Sequence, residues 1–125
     1  MARADFTVYV VDDDGSVRAS LKLLIESCGF SVVTFESAED FLNSNFKEGR
    51  ACLILDVHLP GMSGFDLQKT LVESHARIPV VFITGHDRAR MEDEAMELGG
   101  IAYLKKPFEE QCLLEAIHSA RDIVN

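Results

Sequence analysis

Hydrophobic residues occur along this chain in two alternating arrangements, and each arrangement predicts a different element. Short continuous apolar runs predict strands buried on both faces, as in a parallel sheet covered by helices. The segments between these runs carry apolar residues every three or four positions, which is typical of a helix with one buried face. Strands are predicted at residues 6–11, 31–35, 51–56, 79–85 and 101–104.

Each predicted strand is followed by a predicted helix. The first helix carries its apolar stripe over residues 17–28, and Gly29 is a typical residue just after a helix end. Residues 37–40 have the sequence Ser-Ala-Glu-Asp, which resembles a capping box and begins a short second helix. The remaining helices are predicted over residues 64–72, over residues 87–98 and from residue 113 to about residue 124.

Five alternating strand–helix units predict an α/β fold. Because the crossover between parallel strands is right-handed, the helices cover both faces of one parallel sheet. We therefore predict a three-layer (βα)5 sandwich of the flavodoxin-like type, with strand order 2-1-3-4-5. In such a sheet the carboxyl ends of the strands share one edge, which is where ligands bind.

Polar residues follow four of the predicted strands at this shared edge. Asp12 and Asp13 follow the first strand, Asp56 ends the third, Thr84 lies at the end of the fourth, and Lys106 follows the fifth. Three carboxylates within ~5 Å of one another repel by about 3 kcal/mol per pair at an effective dielectric constant of 20, so they take up protons or bind a cation. A set of oxygen ligands without histidine or thiolate favours Mg²⁺.

The same residues have simpler structural explanations when taken one at a time. Asp56 precedes Pro60 and Gly61, and an aspartate beside such a pair is commonly a turn or capping residue. Thr84 alone would be an ordinary strand-end threonine. Lys106 alone would be an exposed surface residue, as most lysines are. Their convergence on one edge favours a site, in which an aspartate attacks phosphorus while a lysine and a hydroxyl hold phosphoryl oxygens.

Length and composition exclude several classes of protein. The chain has 125 residues, 47% of them hydrophobic, which suits one domain that buries about two thirds of its unfolded surface. A net charge of −9 disfavours nonspecific binding to DNA or anionic membranes. All apolar runs are strand-sized and no signal core is present, so we expect a cytoplasmic protein without a membrane span. The three cysteines Cys28, Cys52 and Cys112 predict buried thiols rather than disulfides or a zinc site.

Four segments together resemble the receiver domain of two-component response regulators. The resemblance covers nearly the whole chain, and the order and spacing of the segments are specific. The Thr-Gly-His and Lys-Pro-Phe details are most similar to the FixJ-type group of nitrogen-fixation regulators. The segments are Val10-Val11-Asp12-Asp13-Asp14, Leu55-Asp56-Val57-His58-Leu59-Pro60-Gly61-Met62-Ser63-Gly64, Ile83-Thr84-Gly85-His86 and Lys106-Pro107-Phe108.

This resemblance implies a role for each residue at the edge. Asp56 would accept a phosphoryl group and would also contribute to a Mg²⁺ (or Mn²⁺) site. Asp13 would bind the metal directly and Asp12 through water, with the backbone carbonyl of His58 as a further ligand. Lys106 would pair with the phosphoryl group.

The resemblance also implies a switch. Thr84 and Tyr103 would respond to phosphorylation as switch hydroxyl and switch aromatic, and the bond between Lys106 and Pro107 would be cis. The response would alter the surface of helix four, strand five and helix five. The side chains of His58 and His86 have no role assigned by the sequence.

Taken as a receiver, the chain would be a signalling switch and not an enzyme, since it catalyses only its own phosphorylation and dephosphorylation. Its phosphoryl donor would be a sensor histidine kinase or a phosphotransfer protein, and the resemblance allows a phosphorylation-dependent homodimer. We expect one receiver domain over residues 1–125. Regulators of this group usually continue into a helix-turn-helix domain, and DNA would be contacted only through that output domain, which is absent from this chain.

Three other functions share parts of this pattern. A Mg²⁺-dependent aspartyl-phosphate phosphatase has the same residue types, but its nucleophile usually follows strand one and a cap domain covers it. A flavodoxin-like carrier of FMN would have the same architecture, yet residues 12–14, all aspartate, would repel the FMN phosphate. A degenerate receiver that only mediates contacts would not need to retain every site residue type.

Overall fold

The computed structural model describes residues 6–124 of the chain, which form five strands and five helices in strict alternation. The elements are β1 Thr7–Val11, α1 Gly15–Ser27, β2 Ser31–Phe35, α2 Ala38–Leu42, β3 Ala51–Asp56, α3 Gly64–Glu73, β4 Val80–Thr84, α4 Met91–Glu97, β5 Ala102–Lys105 and α5 Glu110–Val124.

All five strands belong to one parallel sheet with the order β2-β1-β3-β4-β5. The predicted fold class and strand order are therefore confirmed. In the register of the two central strands, Val11 pairs with Leu55, so the residues that follow them leave the sheet side by side. Every residue of β1, β3 and β4 is buried, which explains why these strands are continuous apolar runs.

Side chains of the central strands alternate between two hydrophobic clusters, one on each face of the sheet. Leu53 and Leu55 of β3 pack in the cluster that includes residues of α2, α3 and α4. Cys52 and Ile54 pack in the cluster that includes residues of α1 and α5. Burying one large aliphatic side chain contributes about 1.5–3 kcal/mol, so the two clusters fix the strands and the edge that they form.

Local hydrogen bonds explain where the helices begin. Asp14 precedes α1, and its carboxylate accepts hydrogen bonds from the amides of Ser16 and Val17. Ser63 and Asp66 form a reciprocal capping box at the start of α3. Gly29 follows the C-cap of α1 with φ of 93°, as the sequence predicted for a residue just past a helix end.

The fourth helix differs most from its prediction. It begins at Met91, four residues later than the predicted start at residue 87. Arg90 adopts φ of 70°, a left-handed conformation that is incompatible with an α-helix, and it provides no side-chain cap. Residues 87–90 were predicted as helical by composition but lie in the loop before α4, where Asp87 accepts a hydrogen bond from the hydroxyl of Tyr103.

The prediction that all three cysteines are buried thiols is wrong for two of them. Cys112 is exposed on α5 and Cys28 is half-buried, so only Cys52 is a fully buried thiol. Burial raises the pKa of Cys52 to about 12, which makes it an inert core residue.

None of the helices formed by residues 6–124 is long and apolar enough to cross a membrane.

Candidate functional site

The carboxyl ends of β1 and β3 bring three aspartates together. Carboxylate oxygens of Asp12, Asp13 and Asp56 all lie within 4.8 Å of one another. Asp12 is fully buried, Asp56 is 5% exposed, and Asp13 is exposed to solvent. The chain turns tightly behind this cluster, since a Cβ atom on Gly64 would collide with the backbone carbonyl of Asp56. The predicted acidic cluster is thus present in the fold.

Lys106 reaches the same cluster from the loop between β5 and α5. Its Nζ lies 2.7 Å from Oδ2 of Asp12 and 3.2 Å from Oδ2 of Asp56. The peptide bond between Lys106 and Pro107 is cis, as the resemblance implied. The ammonium group therefore neutralises part of the charge of two buried carboxylates.

The electrostatics of the cluster shift two pKa values. Burial and the charge of Asp12 raise the pKa of Asp56 above its ordinary value, although the amide of His58 and the charge of Lys106 lower it. Burial would lower the pKa of Lys106, but its hydrogen bond to Asp12 and the charges of both carboxylates outweigh burial and raise it. The site therefore holds excess negative charge in a buried environment that disfavours charge. A bound cation would reduce the repulsion between the carboxylates.

Backbone contacts orient the two buried carboxylates. Oδ1 of Asp12 accepts a hydrogen bond of 2.9 Å from the amide of Asp14, and Oδ1 of Asp56 accepts one of 3.0 Å from the amide of His58. Arg18 donates from Nη1 to the carbonyl oxygen of Asp12 at 2.7 Å, and so holds the main chain beneath the cluster. Arg18 did not emerge from the sequence, where it is only one polar residue of an amphipathic helix.

Thr84 ends β4 at the same edge, and its side chain is fully buried. Its Oγ1 accepts a hydrogen bond of 3.0 Å from the amide of His86, so the hydroxyl oxygen is engaged in a local turn. The imidazole Nε2 of His58 lies 3.1 Å from the carbonyl oxygen of His86. This contact links the loop after β3 to the loop after β4.

Tyr103 lies on β5, and its ring is buried. Its hydroxyl donates a hydrogen bond of 2.6 Å to Oδ1 of Asp87 in the loop between β4 and α4. The resemblance implied that Tyr103 responds to phosphorylation as the switch aromatic, and in this structure its ring packs inside the domain. Asp87 did not emerge from the sequence because residue 87 was assigned to a helix.

The chemistry of the acidic cluster fits a hard divalent cation. Asp12, Asp13 and Asp56 offer oxygen ligands only, which is the donor set that Mg²⁺ prefers. Mg²⁺ usually takes one or two protein carboxylates and keeps waters or phosphate oxygens as its other ligands. The exposure of Asp13 leaves that side of the cluster open to solvent.

Comparison with known proteins agrees with this fold and edge. The family model for the response regulator receiver domain matches residues 8–118. Nodulation protein W of Bradyrhizobium diazoefficiens is 45% identical over 115 residues, which are 92% of this chain and 51% of that protein. Transcriptional regulatory protein FixJ of the same organism is 38% identical over 113 residues, which are 90% of this chain and 55% of that protein.

Solved structures give the same result. The response regulator StyR has a TM-score of 0.88 at 47% identity, over 96% of this chain and 61% of that one. The structure described as FixJ-N has a TM-score of 0.85 at 38% identity, over 94% of each chain. This chain therefore belongs to the receiver domain family of two-component response regulators. Its similarity to FixJ and nodulation protein W associates it with the FixJ-type regulators. The chain spans about half the length of these curated relatives.

Proposed function

We propose that Asp56 accepts a phosphoryl group from a sensor histidine kinase or a phosphotransfer protein. The observation that carries this proposal is the position of Asp56. It is a nearly buried carboxylate at the ligand-binding edge, 3.2 Å from the ammonium group of Lys106 and beside two further aspartates. Receiver domains of this family act as signalling switches that interact with such donors.

In the proposed reaction, a carboxylate oxygen of Asp56 forms a bond to phosphorus while the bond from phosphorus to a histidine nitrogen of the donor breaks. The donor imidazole leaves with the electron pair of that bond and is protonated. Lys106 contacts Asp56 directly, so its ammonium group is available to stabilise the charge on the phosphoryl oxygens. Mg²⁺ held by Asp12, Asp13 and Asp56, with the carbonyl of His58 as a further ligand, would supply additional positive charge.

Phosphorylation would change the local charge from one negative charge to roughly two and would add acceptor oxygens. Thr84, whose Oγ1 accepts a hydrogen bond from the amide of His86, would then donate its hydroxyl hydrogen to a phosphoryl oxygen. Movement of the loop after β4 would be transmitted to Tyr103 and to the surface of α4, β5 and α5. A homodimer contact on this surface is the proposed outcome.

The partners of the whole regulator are also proposals. Relatives such as the transcriptional regulatory protein FixJ are about twice as long as the matched region. We propose that residues 1–125 form the receiver domain of such a regulator and that DNA is contacted through a separate output domain. The net charge of −9 supports the view that this domain does not itself bind DNA.

The first experiment is binding of beryllofluoride, a phosphoryl mimic, measured by fluorine NMR with and without Mg²⁺. We expect one equivalent to bind in the presence of Mg²⁺ and none when the metal is removed with a chelator, because the carboxylates alone repel the mimic. Binding without Mg²⁺ would contradict the proposed metal role. Turnover of a generic phosphate ester would instead favour the aspartyl-phosphate phosphatase.

A further inference from the structure

The carboxylate of Asp13 has the least support of the three in the acidic cluster. It is exposed, and within the described part of the chain no group donates a hydrogen bond to it. Lys106 contacts the carboxylates of Asp12 and Asp56 only. β1 ends at Val11, so Asp13 also lies beyond the strand. The direction of its side chain therefore depends on the main chain around it.

Two peptide units flank Asp13, and each is held at one atom. The carbonyl oxygen of Asp12, in the peptide unit before Asp13, accepts a hydrogen bond of 2.7 Å from Nη1 of Arg18. The amide of Asp14, in the peptide unit after Asp13, donates at 2.9 Å to Oδ1 of Asp12. Because a peptide unit is planar, holding one of its atoms restricts the rotation of the whole unit. The two hydrogen bonds together determine where the Cα–Cβ bond of Asp13 points.

Arg18 has the carbonyl of Asp12 as its principal partner. The guanidinium group lies back over the start of its own helix, where a Cβ atom on Gly15 would come within 3.4 Å of Nη2. Glu36 lies 4.0 Å from Nη2 and its side chain is 71% exposed, so this ion pair contributes little. The side chain of Arg18 is only 23% exposed, which shields its hydrogen bond to the main chain from water.

The charge of Arg18 and its hydrogen bond have opposite effects on a cation at the cluster. Arg18 is the fourth residue of α1, close to the end where the helix dipole already disfavours a cation. Its positive charge also repels a metal ion held by the neighbouring carboxylates. A hydrogen bond that directs Asp13 toward the ion favours binding instead. Removal of the guanidinium group therefore raises metal affinity if charge dominates and lowers it if positioning dominates.

We propose that Arg18 is a positioning residue, which holds the peptide unit between Asp12 and Asp13 so that the carboxylate of Asp13 is directed at the Mg²⁺ ion of the proposed site. This inference rests on the proposed function, in which Asp13 binds the metal. Groups that hold metal ligands in place commonly change metal affinity by about ten- to a hundredfold without touching the ion. Arg18 thereby sets the Mg²⁺ concentration at which Asp56 can accept a phosphoryl group.

The test is a titration with Mg²⁺ without any phosphoryl donor, followed through the amide NMR signals of residues 12–14. Arg18→Met removes the donor and keeps an unbranched side chain that suits a helix. We expect its half-saturating Mg²⁺ concentration to rise about tenfold, because one of the two hydrogen bonds around Asp13 remains. Arg18→Lys is expected to stay within about threefold of wild type, because an ammonium group can still donate to the carbonyl oxygen of Asp12.

Lys22→Met is the matched control, since it removes one positive charge from the exposed face of α1 one turn after Arg18. We expect it to leave the half-saturating Mg²⁺ concentration unchanged. Urea denaturation of the metal-free proteins measures stability separately. If Arg18 only stabilised the fold, Arg18→Met would lower the free energy of unfolding and leave the Mg²⁺ affinity of the folded protein unchanged.

An unchanged or lowered half-saturating concentration in Arg18→Met would overturn the positioning role, and so would an equal rise in Lys22→Met or in Arg18→Lys. Wild-type protein that binds no Mg²⁺ would overturn the metal site of the proposed function itself. Binding by wild type with unaltered affinity in Arg18→Met would overturn this inference alone.

Discussion

Asp56→Asn is expected to abolish the mass gain of one phosphoryl group that wild-type protein shows after incubation with acetyl phosphate and Mg²⁺. An amide oxygen is a far weaker nucleophile than a carboxylate, and the asparagine adds no negative charge to hold the metal. Intact-protein mass spectrometry measures the gain directly. Asp14→Asn is the matched control. Asparagine is as good a helix N-cap as aspartate, so this variant should preserve both α1 and phosphorylation. A mass gain that persists in Asp56→Asn would refute the assignment of the acceptor.

The same variant is expected to stabilise the metal-free protein at pH 7. The pKa of Asp56 is raised in the folded state, so the folded protein binds this proton more tightly than the unfolded chain does. That contribution to stability is fully present below the ordinary carboxyl pKa of about 4 and is lost as pH rises through the raised value. Chemical denaturation of both proteins from pH 4 to pH 8 should therefore show a difference that grows with pH.

Lys106→Met is expected to lower the free energy of unfolding of the metal-free protein by about 2 kcal/mol at pH 7. It leaves the buried carboxylates of Asp12 and Asp56 without their ammonium partner. Breaking a fully buried ion pair costs about 3–5 kcal/mol, and the smaller value applies here because Lys106 is partly exposed. Urea denaturation with and without Mg²⁺ measures the loss, which should shrink when the metal supplies positive charge.

The pH dependence of this loss follows from the raised pKa of Lys106. Its stabilising contribution is fully present below the ordinary lysine pKa of about 10.4 and is lost as pH rises through the raised value, so the difference from wild type stays constant between pH 7 and pH 9. Phosphoryl uptake should fall about a hundredfold, as when one stabilising donor is removed from a reacting centre. Metal binding is expected to persist.

Lys105→Met is the control for this variant. It removes the adjacent lysine, whose side chain is 61% exposed and whose ion pair with Asp87 is long, at 3.8 Å. We expect less than about 0.5 kcal/mol of destabilisation and normal phosphoryl uptake. If Lys106→Met were as stable and as reactive as Lys105→Met, the ammonium group of Lys106 would have no special role at the site.

The sheet and its edge were predictable because their signals are local and strong. A strand buried on both faces has to be a continuous apolar run, as β3 is, and strict alternation with helices leaves few alternatives to a parallel sheet. Once the strand order is known, Asp12, Asp56 and Lys106 must meet at one edge, whatever their separation in sequence. In the structure Lys106 contacts both Asp12 and Asp56 directly, and oxygens of the two carboxylates lie within 4.8 Å of each other.

Contacts that depend on one distant partner were not predictable. Asp87 accepts a hydrogen bond from Tyr103, 16 residues later in the sequence, and no local pattern marks that pairing. Glu39 similarly makes a contact that no local pattern marks, since its carboxylate accepts a hydrogen bond from the amide of Met62, 23 residues later in the sequence. In both cases only the tertiary fold brings the partner near.

The central claim is that the phosphoryl group resides on Asp56, and chemical mapping tests it most directly. Phosphorylated protein is reduced with borohydride, which converts an aspartyl phosphate to homoserine, and the digested peptides are sequenced by mass spectrometry. We predict homoserine at position 56 and unmodified aspartate at positions 12 and 13. Homoserine at Asp12 or Asp13, or a phosphoryl group found on a histidine, would contradict the account.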